Sequence, residues 1–186
     1  MSGISTSITW ICSRESAGLL AAAINQAADW SNIEPWDEQR TLCVTSRNNH
    51  LEYNIRRLFA EFVMEGASYF RTEEAYVKQG QQAFAAAVYG ADLEQASHGL
   101  KSLLDAMKDD PAKCVAPWQG IYSAAEIQEQ QRVPLPDTFE YAKALVAEGD
   151  DNDRFRDAMV FLQAHYLAVQ QALIERRAIL YAAMPC

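Results

Sequence analysis

Histidine, glycine and proline are scarce in this 186-residue chain, at 3, 8 and 6 residues. Few histidines leave acid–base and metal chemistry few positions to use. Few glycines and prolines leave long stretches containing Ala, Leu, Glu and Gln unbroken, which favours helix over sheet. No apolar run approaches the roughly 18 residues that span a bilayer as a helix. Residues 1–11 lack the basic start and long apolar stretch of a signal peptide. The Gly-rich phosphate fingerprints G-x-G-x-x-G and the P-loop are missing, and so is the G-x-S-x-G nucleophile elbow. No two cysteines form a C-x-x-C pair. Basic residues are outnumbered, 16 Lys and Arg against 25 Asp and Glu, for a net charge of −9. That balance disfavours nucleic acid and anionic membranes, whose binding depends on Lys and Arg.

What is present describes an ordinary folded chain. Hydrophobic residues make up 49% and charged residues 22%, which argues against general disorder. A chain of this length buries a core without covalent staples and suits one domain, residues 1–186. Cys12, Cys43, Cys114 and Cys186 are therefore read as reduced thiols, which points to the cytoplasm. The acidic surplus is uneven, −3 for residues 1–91 and −6 for residues 92–186. It keeps the chain soluble and favours basic partners.

Periodicity supplies the elements. Ile4–Cys12 alternates like a strand. A helix capped by Ser13 follows, with Leu20, Ile24, Ala27 and Ala28 as its stripe. Residues 30–38, with Pro35 and Trp36, read as a loop, and Arg40–Thr45 as a second short strand. Asn49 with Glu52 suggests a capping box for a helix carrying Leu51, Ile55, Leu58, Phe59, Phe62 and Val63, closed by Gly66. Another helix is expected over Ser68–Tyr89 with Phe70, Val77, Phe84 and Val88 buried, closed by Gly90. Asp92 and Gln95 suggest the cap of the next, whose face is Leu93, Ala96, Leu100, Leu103, Leu104 and Met107; Asp109-Asp110-Pro111 stops it. Residues 111–136 are the least regular, with one short helix opened by Ser123 and Glu126. Asp137 with Glu140 caps a further helix that ends at Gly149. In the final helix Phe155, Met159, Leu162, Tyr166, Val169 and Leu173 repeat at heptad-like spacing, and Leu180 continues the phase past Arg176.

The expected fold is an all-α, single-domain bundle of five to seven helices with a short extended N-terminal region. The alternative is an α/β start in which residues 4–46 form a β-α-β unit with a parallel strand pair.

Chemistry has few candidates. Glu94 and His98 share a helix face at i,i+4, but two ligands fall short of a zinc site and read as a solvated pair. Cys12 or Cys43 would be a nucleophile only with His50 or His165 beside it; each lies in an apolar run and reads as a buried thiol. Ser13 to Ser16 open a helix, where anions bind, without the glycines of a phosphate loop. Arg56-Arg57 and Arg176-Arg177 read as solvated pairs. Tyr69, Phe70, Tyr76, Phe84 and Tyr89 crowd one segment, while Trp30, Trp36 and Trp118 sit in or beside loops. Core packing explains most such rings, and interface anchoring the rest.

No cofactor and no metal is assigned, and the balance leans away from an enzyme. The functional expectation is a non-enzymatic partner-binding protein that sequesters or inhibits another protein with a basic surface, in the manner of toxin-immunity proteins, antiactivators or phage-encoded inhibitors. Its contact residues would be Asp150, Asp151, Asp153 and Asp157, with Trp118 and Tyr122. The competing expectation is a small-molecule-binding or enzymatic helical domain whose site is built from scattered residues and leaves no linear motif.

Overall fold

A computed structural model of the chain describes residues 5–26, 37–46, 50–70, 84–118, 121–148 and 155–185. Four strands, β1 (Ser5–Cys12), β2 (Thr41–Ser46), β3 (Phe84–Val88) and β4 (Ala178–Pro185), form one sheet in the order β2-β1-β4-β3. Every neighbouring pair is antiparallel. Helices α1 (Arg14–Asn25), α2 (His50–Glu61), α3 (Ala91–Asp109), α4 (Ala124–Gln131), α5 (Phe139–Glu148) and α6 (Phe155–Ile174) complete the described regular structure, with short 3-10 segments between them.

The all-α expectation is therefore wrong, and the α/β alternative needs its own correction. Strand, helix and strand do occur in that order over residues 5–46, but β1 and β2 lie side by side antiparallel, Trp10 opposite Thr41 and Ser5 opposite Ser46. The two strands that sequence periodicity hid belong to segments read as helix. The run Phe84-Ala85-Ala86-Ala87-Val88 is alanine-rich, and alanine prefers helix; pairing with β4 overrides that weak preference. The residues before it, Ala67–Phe70, form a 3-10 turn, and Val77 lies outside the described residues.

Leu180 had continued a heptad phase; the chain instead leaves α6 at Ile174 and turns into β4. Arg176 takes a left-handed backbone, φ 56°. The Arg177 amide donates to the Ala172 carbonyl at 2.8 Å and the Arg176 amide to Leu173 at 3.2 Å. That bond pair is a Schellman C-cap, and it ends the helix without a glycine. Helix α2 closes in the same way one turn before Gly66. Val63 has φ 54°, Met64 donates to Phe59 at 2.8 Å and Val63 to Ala60 at 3.0 Å.

Other local expectations hold. Ser13 caps α1 by accepting from the Ser16 amide, and Ser123 with Glu126 forms a complete capping box on α4. Helix α3 stops before Pro111. Its N-cap, however, is Gly90 and not Asp92, which sits in the first turn. Asn49 lies outside the described residues, as does Gly149.

Strand alternation sends side chains to two faces. Trp10, Cys12, Leu180, Ala178, Ala182 and Ala85 meet Ala17, Leu20 and Ala21 of α1 in a small cluster. Ile11, Leu42, Ile179 and Tyr181 face the larger core built with α2, α3 and α6. The sheet is thus a middle layer, with α1 on one side and the other helices on the opposite side. Helix α1 also reaches the outer edge of β3. The Asn25 amide donates to the Ala85 carbonyl at 2.8 Å, and its oxygen accepts from the Ala85 amide at 2.9 Å.

Candidate functional site

A cleft of about 680 Å³ opens between the β3–β4 edge and the start of α3. Glycines make it possible. Residues 65 and 66 cross α3 at Gly99, where an added Cβ would lie 2.9 Å from the Glu65 carbonyl oxygen; Gly66 itself has φ +127°. The crossing places Glu65 on one lip of the cleft and leads the chain straight into the turn that carries Tyr69.

The walls are small and apolar: Ala86, Ala87 and Val88 from β3 and Ala91 and Ala96 from α3. Tyr69 and Tyr181 close the floor, their rings stacked at 5.6 Å and 24°. Both tyrosines are buried, at 5% and 0% exposure, and neither hydroxyl has a hydrogen-bond partner. Burial raises the Tyr69 phenol well above its ordinary range, so it stays protonated. Behind them lies His165, edge-on to both rings at 5.6 Å. Its Nε2 is 2.9 Å from the Thr9 hydroxyl, and its Nδ1 is 3.4 Å from the Phe161 carbonyl oxygen. Burial pushes this imidazole down to about 3, so it is neutral at physiological pH. The floor therefore carries no charge.

The rim is different. Glu65, Asp92 and Glu94 line it with Gln95 and His98, all exposed, and no Lys or Arg is among the described lining residues. Glu94 and His98 do share a helix face, at the cleft mouth. Among the described residues no third His, Cys, Asp or Glu joins them to make a metal-binding group.

The nominated partner-contact residues that the structure describes, Asp157, Trp118 and Tyr122, do not line this cleft. Asp150, Asp151 and Asp153 lie outside the described residues, and Asp157 is half-buried in the first turn of α6. Trp118 is fully buried, edge-on to Phe155 at 5.3 Å, which makes its ring part of the core and not of the surface. Tyr122 is half-buried against the same core.

With His165 as partner, the cysteine–histidine reading fails on geometry. Cys12 and Cys43 share the α1 face of the sheet, Cys43 opposite Ile8 in register, while His165 approaches the other face through Thr9. The His50 side chain lies outside the described residues. Cys114 is buried, and desolvation, with Asp110 nearby, pushes its thiol up to about 12, far from nucleophilic. Ser13 and Ser16 spend their hydroxyls on each other and on the α1 cap. Arg57 donates to the Ala116 carbonyl at 3.2 Å, and Arg177 pairs with Glu175 at 3.4 Å.

Of the cleft residues, only the Glu94–His98 pair and Tyr69 stood out in the sequence, the latter among crowded aromatics. Tyr181 gave no signal, because its role depends on β4 being a strand. No helix of the described residues is long and apolar enough to cross a membrane. Family models, curated proteins and solved structures give no match to this chain.

Proposed function

We propose that the chain is a ligand-binding protein and that the cleft between β3–β4 and α3 is its site. The observation that carries this reading is the cleft itself, about 680 Å³ with small apolar walls and a polar, exposed rim. The cleft volume falls within the range typical of small-molecule sites.

The test is a thermal melt with small-molecule extracts of the native host, run on the parent and on Ala91→Trp. Ala91 is exposed at the cleft mouth, so the indole fills the entrance and spares the core. A ligand at this site raises the parent midpoint and leaves the variant unmoved. Equal shifts in both proteins would move the site elsewhere.

Capture of a basic partner protein is the second reading. The observation that favours it is charge: −9 over the chain and three carboxylates on one rim. Such a surface accelerates and selects a cationic partner. Under this reading Asp150, Asp151 and Asp157 are contact candidates, and changing all three to Asn slows association and flattens its salt dependence.

A further inference from the structure

We infer that two copies of this chain exchange β4, giving a dimer in which each sheet is completed by the other copy's strand. The inference goes beyond the ligand reading of the cleft and does not depend on it.

The connection to β4 carries the argument. Between Ile174, where α6 ends, and Ala178, where β4 begins, stand only Glu175, Arg176 and Arg177. The turn holds no glycine, and Arg176 takes φ 56°, a conformation that is costly for a residue with a side chain. Short connectors under strain invite exchange, because opening the hinge relieves the strain while the element it carries docks on another copy. The local sequence pulls the same way. Residues 172–180 contain neither glycine nor proline, and their apolar phase runs on from Leu173 to Leu180. Nothing within the segment itself calls for a reversal at Arg176. An open hinge returns that residue to a helical or extended backbone, and arginine is a good helix former.

What is exchanged is self-contained. Strand β4 lies between β1 and β3 and is antiparallel to both. A second copy offers the same slot between the same two strands, so exchange forfeits no strand pairing. No described element follows β4, so none has to travel with it. What is given up is the turn. The Arg177 and Arg176 amides lose their bonds to Ala172 and Leu173. Glu175 loses ion pairs with Arg40 at 3.2 Å and with Arg177 at 3.4 Å, both partly exposed and therefore weak. Tyr181 moves with β4, so each cleft in the dimer takes that ring from the other copy.

The test starts with intact protein held at high concentration near its unfolding midpoint and then returned to native conditions. Light scattering should find a dimer that persists on dilution, since reversal requires unfolding. Arg176→Gly removes the strain from the closed turn and should lower the dimerisation constant at least about tenfold, because each dimer opens two hinges. Arg176→Val, β-branched and worse suited to the left-handed region, should raise it. Absence of a dimer at every concentration, or a dimer indifferent to both substitutions, would overturn the exchange. A disulfide separates exchange from ordinary docking, because Cys12 lies opposite Ala178 in the β1–β4 register. Ala178→Cys, combined with Cys43→Ser and Cys186→Ser, is oxidised after the dimer has formed. Exchange predicts that the dimer fraction stays linked between chains on a denaturing gel, while the monomer fraction is linked within the chain. Links within each chain of the dimer fraction would show ordinary docking and overturn the inference.

Discussion

On the α1 side of the sheet, Ala17 and Ala21 of the helix meet Ala85, Ala178 and Ala182 of the strands. On the other side, His165 of α6 sits among the rings of Tyr69, Phe70, Phe161 and Tyr181. Methyl groups let a helix approach closely and make no polar demands. Large rings fill volume unevenly, and those with polar atoms must find partners or leave a penalty behind. The histidine finds Thr9; the two tyrosines do not, and a cleft opens next to them. The contrast shows how one sheet holds a plain structural joint on one face and a cleft beside buried rings on the other.

The most severe way to break the aromatic side is Leu162→Asp. Leu162 is fully buried on α6, and an unpaired carboxylate there should unfold the protein or send it into aggregates. Leu162→Ala should lower unfolding stability by about 2–5 kcal/mol in urea titrations. If either variant melts like the parent, α6 does not hold that core together.

The next effect belongs to His165. Its folded pKa near 3 lies below the unfolded value of about 6.5. Above pH 6.5 neither state holds the proton, and the histidine adds no pH dependence. As pH falls below that point the unfolded chain gains a proton that the folded chain refuses, so stability drops until about pH 3. Between pH 7 and pH 5 this amounts to about 2 kcal/mol. The double variant Thr9→Val, His165→Phe removes the titrating group and its partner together, so it should lose less stability over that interval than the parent. Parallel pH curves for the two proteins would show that the histidine is not held neutral.

The alanine side should respond to size and not to pH. Ala182→Leu adds volume where α1 presses on β4, and overpacking of this kind costs about 1–3 kcal/mol. A tolerated leucine would mean that the joint is looser than its alanines imply. The smallest effect lies outside both interfaces and serves as a control. Val63 is 91% exposed with φ 54°, a conformation that is strained for a β-branched residue. Val63→Gly should raise stability by about 0.5–1 kcal/mol, measured as a higher urea midpoint with unchanged slope.

Much of the local structure was legible because it depends on neighbours in sequence. The caps at Ser13 and Ser123, the stop at Pro111 and the alternation of β1 all involve residues a few positions apart. The sheet was not legible, because β3 and β4 are specified by each other. Ala85, Ala86 and Ala87 become a strand only when Ala182, Tyr181 and Leu180 lie opposite them. Phase alone also carried Leu180 into α6, because a heptad count does not register a left-handed arginine. The site was hidden for the same reason. Tyr69 and Tyr181 stand 112 positions apart, and their floor exists only when a turn after α2 meets the last strand. The rim was partly visible, since Glu94 and His98 share one helix, but nothing linear ties them to Glu65.

Asn25 remains to be followed to its consequence. By bonding both the amide and the carbonyl of Ala85, it imitates one residue of a fifth strand. A foreign strand seeking to extend the sheet at that point must first displace it, and gains nothing at Ala85 until it does. The side chain thus acts as a plug against edge-to-edge polymerisation. Deamidation would exchange its donor for a second acceptor, strip the Ala85 carbonyl of its partner and set a negative charge beside it. The carboxylate would still accept from the Ala85 amide, and its charge would itself oppose a foreign strand, so that edge would lose one bond and stay guarded.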